Sequence, residues 1–165
     1  MAESYHAYMA WLEASAAGHV MRDTGVWTYA IVNLFHLIGI AGLFGAICVL
    51  DLRLLGVWRS IPLGMISRPA VNVAGTGLGL AAVTGVFLLA TKAREYSDNP
   101  LLLPKFVFIV LALLNLVVLH LTLSWRAHRG RDLTQKEYRG LAIFGATSLV
   151  FWLGAITCGR LIGYW

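Results

Sequence analysis

Charged residues are absent from four long stretches of the chain, residues 24–50, 69–91, 106–125 and 141–159. Each stretch has 19 or more residues, and a helix of about 20 apolar residues crosses the hydrocarbon core of a bilayer. The pattern predicts spanning helices at about residues 26–50, 70–91, 105–125 and 140–160. The predicted fold class is therefore all-α, an integral membrane four-helix bundle in a single transmembrane domain over residues 1–165.

An amphipathic pattern precedes the first spanning helix. Within residues 3–17, Tyr5, Met9 and Leu12 fall on one helical stripe and the charged Glu13 lies opposite. Such a pattern is typical of a helix that lies in the membrane interface. We therefore expect an N-terminal interfacial helix on the outer surface of the membrane.

Cap and turn residues indicate where the spanning helices begin and end. Asp23-Thr24 is a suitable N-cap for the first spanning helix, which we expect to continue to about Arg53. Pro62 and Arg68-Pro69 are expected to interrupt the next loop, whereas Pro104 suits the first turn of the third spanning helix.

Small residues recur at intervals of four in the spanning segments. The pairs are Gly42 and Ala46, Gly75 and Gly79, Ala81 and Gly85, and Ala155 and Gly159. Small residues at this spacing let helix backbones approach closely in lipid. The pairs predict helix contacts, and the run Gly75-Thr-Gly-Leu-Gly79 is assigned to packing because no strand precedes it.

Composition supports a membrane protein and excludes several other classes. The chain is 59% hydrophobic and 13% charged, whereas soluble domains carry about 25% charged residues. Two cysteines are too few for a disulfide scaffold. The net charge of +5 contains no long basic run, so we expect the lipid bilayer and no nucleic acid as a partner.

The positive charge is concentrated on one side of the predicted membrane. Residues 51–68 and 126–139 hold eight Lys and Arg and three acidic residues, whereas the remaining segments hold five of each. The eight are Arg53, Arg59, Arg68, Arg126, Arg129, Arg131, Lys136 and Arg139, and the three are Asp51, Asp132 and Glu137. Because Lys and Arg gather in cytoplasmic loops, both termini are predicted outside. The N-terminus lacks the pattern of a cleavable signal peptide, so the first spanning helix is expected to be an uncleaved signal.

Two histidines lie inside the charge-free stretches, His36 in the first and His120 in the third. Imidazoles from two helices of a membrane bundle can ligate one haem iron. At 1.5 Å per residue, His36 lies about 13 Å below Trp27 and His120 about 21 Å below Phe106. This difference in depth is unfavourable for two ligands of one haem, so the alternative is that both histidines are structural and hydrogen-bonded within the bundle. If His120 lies deeper than His36, we expect Asp51 to be its neighbour.

Two basic residues, Lys105 and Arg160, are expected near the outer interface. Long basic side chains there usually extend to the headgroups as anchors. With Tyr96, they could instead hold an anionic headgroup, a haem propionate or an acidic small molecule. A cation at the start of a helix is unfavourable because it lies at the positive end of the helix dipole. We therefore expect the carboxylate of Glu95 or Asp98 to lie near Lys105 and compensate its charge.

Motifs of substrate-converting enzymes are missing from the sequence. It contains no phosphate-binding loop, His-Glu-x-x-His, Cys-x-x-Cys or nucleophile elbow. Cys48 and Cys158 are expected near opposite faces of the membrane, too far apart for a disulfide. An electron carrier or a non-enzymatic protein fits this inventory better than an enzyme.

Several blocks of residues together carry a family resemblance. They are Trp11-Leu-Glu-Ala-Ser15, Trp27-Thr-Tyr29, Asn33-Leu-Phe-His36-Leu-Ile-Gly39, Asp51-Leu-Arg-Leu-Leu-Gly56, Thr84-Gly85, Tyr96-x-x-Asn99-Pro100, Lys105, Trp152 and Gly159-Arg160-Leu-Ile-Gly-Tyr164. Almost from end to end, the chain resembles a family of short four-span bacterial inner-membrane proteins of unknown function. This resemblance implies the fold and topology.

The first of the two histidines also carries a more distant resemblance. A histidine in the first helix followed by a glycine-rich run is similar to the membrane domains of copper-resistance D-type and cytochrome-type urate oxidase proteins. This likeness implies a haem or copper role. The second and fourth spanning segments contain no histidine, which argues against two haems.

Two functional hypotheses follow. The leading one is a b-type haem electron-transfer protein of the bacterial inner membrane, with His36 and His120 as axial ligands and a quinone or periplasmic redox protein as partner. The alternative is a non-enzymatic membrane subunit, accessory protein or small permease with structural histidines. Four helices leave little room for a transport path, so the alternative favours a homo-oligomer or a larger complex.

Overall fold

The computed structural model describes residues 2–128, 130–131 and 133–164, and Arg129 and Asp132 of the predicted loop charges lie outside them. The described residues form helices α1 (Ala2–Glu13), α2 (Ala16–Asp23), α3 (Val26–Leu55), α4 (Leu63–Thr91), α5 (Ala93–Ser97), α6 (Leu102–Leu121), α7 (Leu123–Ala127) and α8 (Gln135–Leu161), followed by a 3₁₀ turn, Ile162–Tyr164. Helices α3, α4, α6 and α8 are long and apolar enough to cross a membrane. The predicted all-α membrane bundle is confirmed.

The four long helices alternate in direction and define two ends of the bundle. We call the end with α1, α2, α5 and the C-terminal turn the terminal end, and the end with residues 56–62 and 122–134 the basic end. The most extensive contacts join α3 to α4, α6 to α8 and α3 to α8. Helices α3 and α8 are therefore central in the packing.

The long helices extend further into charged sequence than the charge-free windows indicated. Helix α3 reaches Leu55, two residues past the expected continuation to about Arg53, whereas α4 begins at Leu63 instead of 70 and α8 begins at Gln135 instead of 140. The third predicted helix, residues 105–125, is instead α6 at Leu102–Leu121, because Thr122 leaves the helical conformation and caps α7 through the Trp125 N–H at 3.2 Å. Helices tolerate charge where they leave the hydrocarbon region, so a charge-free window underestimates their length.

Of the two prolines near the start of α4, one lies where the sequence predicted and one does not. Pro62 precedes the helix as its N-cap, but Pro69 lies inside α4, so the predicted break at Arg68-Pro69 is wrong. A proline at the seventh helical residue removes one backbone bond, to the carbonyl of Met65, and the helix accommodates this. Pro104 lies in the first turn of α6 as predicted.

The start of α3 is also different from the prediction. Gly25 is the N-cap of α3, with a φ of 89°. Asp23 is the last residue of α2 and Thr24 its C-cap, so the predicted cap at Asp23-Thr24 is wrong. A second helix occupies these residues, and a sharp glycine turn follows it.

The N-terminal segment is divided into two helices. The predicted continuous helix over residues 3–17 is wrong, because α1 ends at Glu13 and Ser15 caps α2 by accepting from the Gly18 N–H at 3.5 Å. A Cβ on Gly18 would lie 2.1 Å from the Glu13 carbonyl oxygen and 3.0 Å from that of Ala90. The chain therefore reverses tightly at a point that touches the end of α4.

Helix α1 packs against the protein through the predicted apolar stripe. Met9 and Leu12 are buried in a cluster with Ala90, Ala93 and Leu102. Trp11 remains 63% exposed on another side of α1. The helix therefore covers the terminal end of the bundle and presents an aromatic side chain to its surroundings.

Helices α3 and α4 meet at two glycines. A Cβ on Gly39 would lie 2.7 Å from the Ala81 nitrogen, and a Cβ on Gly77 would lie 2.5 Å from the Leu43 nitrogen. Both neighbours are backbone atoms, which cannot move without shifting a helix. The contact between α3 and α4 at this point therefore requires residues without a Cβ.

The predicted small-residue pairs mark this contact only in part. A Cβ added to Gly75 or Gly79 would have no described atom within 4 Å, apart from atoms of its own helix turns. The predicted contact of this pair with another helix is therefore wrong. Gly42 lies near the contact, 3.9 Å from the Gly77 Cα. Gly75 and Gly79 lie on a different face of α4 from Gly77, because adjacent residues are rotated by about 100°.

Candidate functional site

The two membrane histidines lie at different depths. His36 follows the start of α3 by ten residues, whereas His120 is one residue before the end of α6. At 1.5 Å per residue these positions are about 15 Å and about 27 Å from the terminal end. The structure therefore places His36 in the terminal-end half of the bundle and His120 at the basic end.

The imidazole of His36 bridges α3 and α4. Its Nδ1 lies 3.0 Å from Thr84 Oγ1, and that hydroxyl donates to the Leu80 carbonyl at 2.6 Å. Because the hydroxyl proton is used for Leu80, the oxygen accepts from Nδ1–H, which leaves a lone pair on Nε2. A Cβ on Gly85 would lie 3.1 Å from His36 Cε1, so Gly85 gives the ring its space.

The imidazole of His120 is held by its own helix. Nδ1 lies 2.9 Å from the Leu116 carbonyl oxygen, which can only accept, so Nδ1 carries the proton here too. The His120 ring lies 5.0 Å from the Trp125 ring, and Trp125 lies 4.5 Å from the His128 ring. His120 therefore belongs to an aromatic stack at the basic end.

The predicted histidine pair does not converge in this structure. Two imidazoles that ligate one haem iron must face it from opposite sides, but His36 and His120 differ by about 12 Å in depth at 1.5 Å per residue. Asp51, the expected neighbour of a deeper His120, is buried beside Ser148 of α8 instead. The residues present do not fit a haem held between these two histidines, although each has the Nδ1–H form that metal-bound histidines adopt.

Lys105 is half-buried at the start of α6. A Cβ on Gly159 of α8 would lie 3.6 Å from the Lys105 Nζ, so the ammonium rests against this glycine. Within the described part of the chain, no hydrogen bond or ion pair satisfies the ammonium group. Lys105 lies in the first turn of α6, and so in the same terminal-end half of the bundle as His36.

The acids expected to offset Lys105 have other partners. Glu95 forms an ion pair with Lys92 at 2.9 Å, and this hydrogen bond raises the pKa of Lys92. Asp98 lies 4.0 Å from His6 Nδ1. The expected offset of the Lys105 charge by Glu95 or Asp98 is therefore wrong, because both carboxylates lie beside other partners.

Arg160 is exposed and turned toward the C-terminus. Its Nη2 donates to the Tyr164 hydroxyl at 2.5 Å, and its guanidinium lies 4.8 Å from the centre of the Tyr164 ring. Tyr96 packs instead on the cluster around Met9. The structure does not show Lys105, Arg160 and Tyr96 converging on one site.

The sequence did not identify Arg53 as a buried residue. Its guanidinium is among the most buried groups, 2% exposed, and donates from Nε to the Ile61 carbonyl at 2.9 Å. The available signal was helical spacing, because a helix that continues past Leu50 puts Arg53 on the same face as Leu50 and Leu54. Both leucines are in the core cluster of the basic end.

Comparison with known proteins gives a family without an activity. A family model described as "Family of unknown function (DUF6644)" matches residues 8–165. No curated protein sequence and no solved structure matches the chain. Groups of three or more His, Cys, Asp or Glu that could hold a metal ion are absent from the described residues.

Proposed function

The chain belongs to DUF6644, a family of unknown function, and we propose from its own residues that it binds haem b and transfers electrons in a bacterial cytoplasmic membrane. His36 is the proposed axial ligand. A membrane quinone or a periplasmic redox protein is the proposed electron partner. The proposal differs from a histidine-pair model because it assigns one protein ligand per chain.

The hydrogen bond between His36 and Thr84 is the observation that carries this proposal. It fixes the proton on Nδ1, orients the ring between α3 and α4, and makes Nε2 the nitrogen with which His36 would ligate a metal. Histidine ligands usually have their other nitrogen held in this way. A histidine in the apolar part of a membrane bundle is itself a candidate functional group.

Lys105 supports the same assignment. A haem carries two propionates, and an ammonium group without a carboxylate partner attracts such an anion more strongly in a membrane than in water. Lys105 and His36 both lie in the terminal-end half of the bundle. Lys105 would hold a propionate while His36 provides the ligand nitrogen.

Visible spectra of the full-length protein in neutral detergent test the proposal. The protein, prepared from haem-sufficient cells or reconstituted with haem, is expected to show a b-type spectrum after reduction with dithionite. His36→Ala is expected to abolish this spectrum because it removes the iron ligand, whereas His120→Ala is expected to retain it. Absorbance of the reduced and oxidised protein measures both outcomes.

A matched variant separates the ligand from its surroundings. Thr84→Val keeps the size of the side chain but removes the acceptor of Nδ1–H, so the haem is expected to remain with a shifted reduction potential. A folded protein that stays colourless after reconstitution would refute haem binding. An unchanged spectrum in His36→Ala would refute the assignment of the ligand.

A second candidate function is a non-enzymatic membrane subunit or accessory protein. One observation favours it: His36 and His120 both have hydrogen-bond partners within the protein, so neither needs a cofactor to satisfy its donor. This candidate predicts a colourless protein in which His36→Ala lowers stability only. The spectra distinguish it from the haem proposal.

The orientation of the bundle is a further part of the proposal. We place the basic end in the cytoplasm and both termini in the periplasm, because residues 51–68 and 126–139, at and beside the basic end, hold eight of the 13 Lys and Arg. Alkaline phosphatase fused after the last residue is expected to be active, whereas a fusion after Arg131 is expected to be inactive. Cytoplasmic fluorescence from a C-terminal green fluorescent protein would contradict this orientation.

A further inference from the structure

A cleft opens at the basic end between the end of α3, the chain that follows it and the start of α8. Its volume is about 360 Å³, and three arginines line it, Arg53, Arg59 and Arg139. Tyr138 and Gln135 add polar groups, and no carboxylate is among the residues that line it in the described part of the chain. The cleft is therefore a cationic pocket at one membrane surface.

Arg53 contributes a buried positive charge to this cleft. Its Nε donates to the Ile61 carbonyl, and its Nη2 lies 3.4 Å from the Arg59 carbonyl and 3.5 Å from the Tyr138 hydroxyl. All three acceptors are neutral, and no acceptor for Nη1 is found among the described residues. A charge removed from water is costly unless an opposite charge accompanies it.

Arg59 is brought to the cleft by a glycine. Gly56 ends α3 with a φ of 103°, and a Cβ on it would lie 2.6 Å from the Arg59 Nη2. Gly56 thus provides both a left-handed helix end and the space in which the guanidinium lies. Helix ends commonly use glycine for the first purpose, and the close approach of Arg59 adds the second.

The carboxylates of the basic end that the structure describes do not line the cleft. Asp51 is buried beside Ser148, and Glu137 binds Arg131 at 2.6 and 3.0 Å. Neither Arg59 nor Arg139 has a hydrogen bond or ion pair from its guanidinium to another described residue. Within the described residues, no carboxylate therefore pairs with the three arginines of the cleft.

We propose that this cleft binds a phosphate-type anion, either the headgroup of an anionic phospholipid or free phosphate. Planar guanidinium groups donate pairs of N–H groups to phosphate oxygens. Basic pockets between membrane helices bind anionic headgroups, and Leu54, Leu55 and Ala142 line the same cleft for apolar contact. This site is at the opposite end from His36 and does not depend on the haem proposal.

Thermal unfolding of the full-length protein in neutral detergent tests this site. The transition is followed by circular dichroism while phosphatidylglycerol, phosphatidylcholine or inorganic phosphate is added at constant ionic strength. Phosphatidylglycerol is expected to raise Tm with saturation, and phosphatidylcholine is expected to leave it unchanged. A rise with inorganic phosphate at comparable concentration would identify a free anion as the ligand, whereas a rise with phosphatidylglycerol alone would identify the lipid.

Four variants distinguish the cleft from general attraction to a basic surface. Arg59→Gln and Arg139→Gln are each expected to raise the half-saturating concentration about fivefold. Arg68→Gln removes one exposed charge of the basic end outside the cleft, and it is expected to have less than half that effect. Ala142→Leu fills the cleft while keeping every charge and is also expected to weaken binding.

Two results would overturn the proposal. One is a Tm that neither anion raises. The other is an equal loss of binding in Arg68→Gln and in the two cleft variants, because the anion would then bind the whole surface and not this cleft.

Discussion

Replacing Gly77 by alanine is expected to destabilise the bundle by about 3 kcal/mol. The new methyl group would lie 2.5 Å from the Leu43 nitrogen and 2.7 Å from the Gly39 carbonyl oxygen. These are backbone atoms, so α3 and α4 must separate along their contact, and overpacking of this kind costs about 1–3 kcal/mol or more. Reversible unfolding in mixed detergent micelles, followed by circular dichroism, measures the change.

A glycine on another face of the same helix is the control for this prediction. Gly79→Ala introduces the same methyl group two residues away, where no described atom beyond its own turns lies within 4 Å. Alanine is the better helix former by about 1 kcal/mol, so this variant is expected to be neutral or slightly stabilised. Equal destabilisation in both variants would contradict the α3–α4 contact as described.

Replacing Arg53 by methionine is expected to destabilise the protein by about 2–3 kcal/mol. Methionine has a similar length but donates no hydrogen bond, so the carbonyls of Ile61 and Arg59 and the Tyr138 hydroxyl lose their donor. Unsatisfied buried acceptors cost about 1–3 kcal/mol each, although release of the buried charge offsets part of this. The same unfolding measurement gives the magnitude.

Two further variants show whether the geometry or the charge of Arg53 matters. Lysine keeps the charge but lacks the planar fork that reaches several acceptors at once, so Arg53→Lys is expected to recover less than half of the lost stability. Arg68→Met, at an exposed position, is expected to change stability by less than about 0.5 kcal/mol. Full recovery by lysine would show that the charge alone is responsible.

The membrane helices could be predicted from the sequence because their signal is strong and local. A bilayer excludes charge, so the four charge-free windows mark α3, α4, α6 and α8 without knowledge of their neighbours. The ends of the helices were less predictable. Pro69, considered alone, predicts the end of a helix, yet the first turns of α4 accommodate it. Gly25 is the N-cap of α3 only because α2 occupies the residues before it.

The contacts between helices could be predicted only in part, because they depend on which face of each helix meets the other. Gly75, Gly77 and Gly79 look equivalent in the sequence, but only Gly77 faces α3. The same limit applies to His36, whose partner Thr84 lies 48 positions away. The sequence identified both histidines as polar groups in an apolar stretch and a depth offset between them. It underestimated that offset because α6 begins at Leu102, before Phe106.

The cluster that holds α1 has a consequence for biogenesis. Met9 and Leu12 are made first, but their partners Ala90, Ala93 and Leu102 emerge from the ribosome some 80 residues later. Until α4 and α5 reach the same side of the membrane, α1 has only the bilayer surface on which to place its apolar stripe. Docking of the N-terminus onto the terminal end is therefore a late step of assembly, which follows the insertion of the first helical hairpin, α3 and α4.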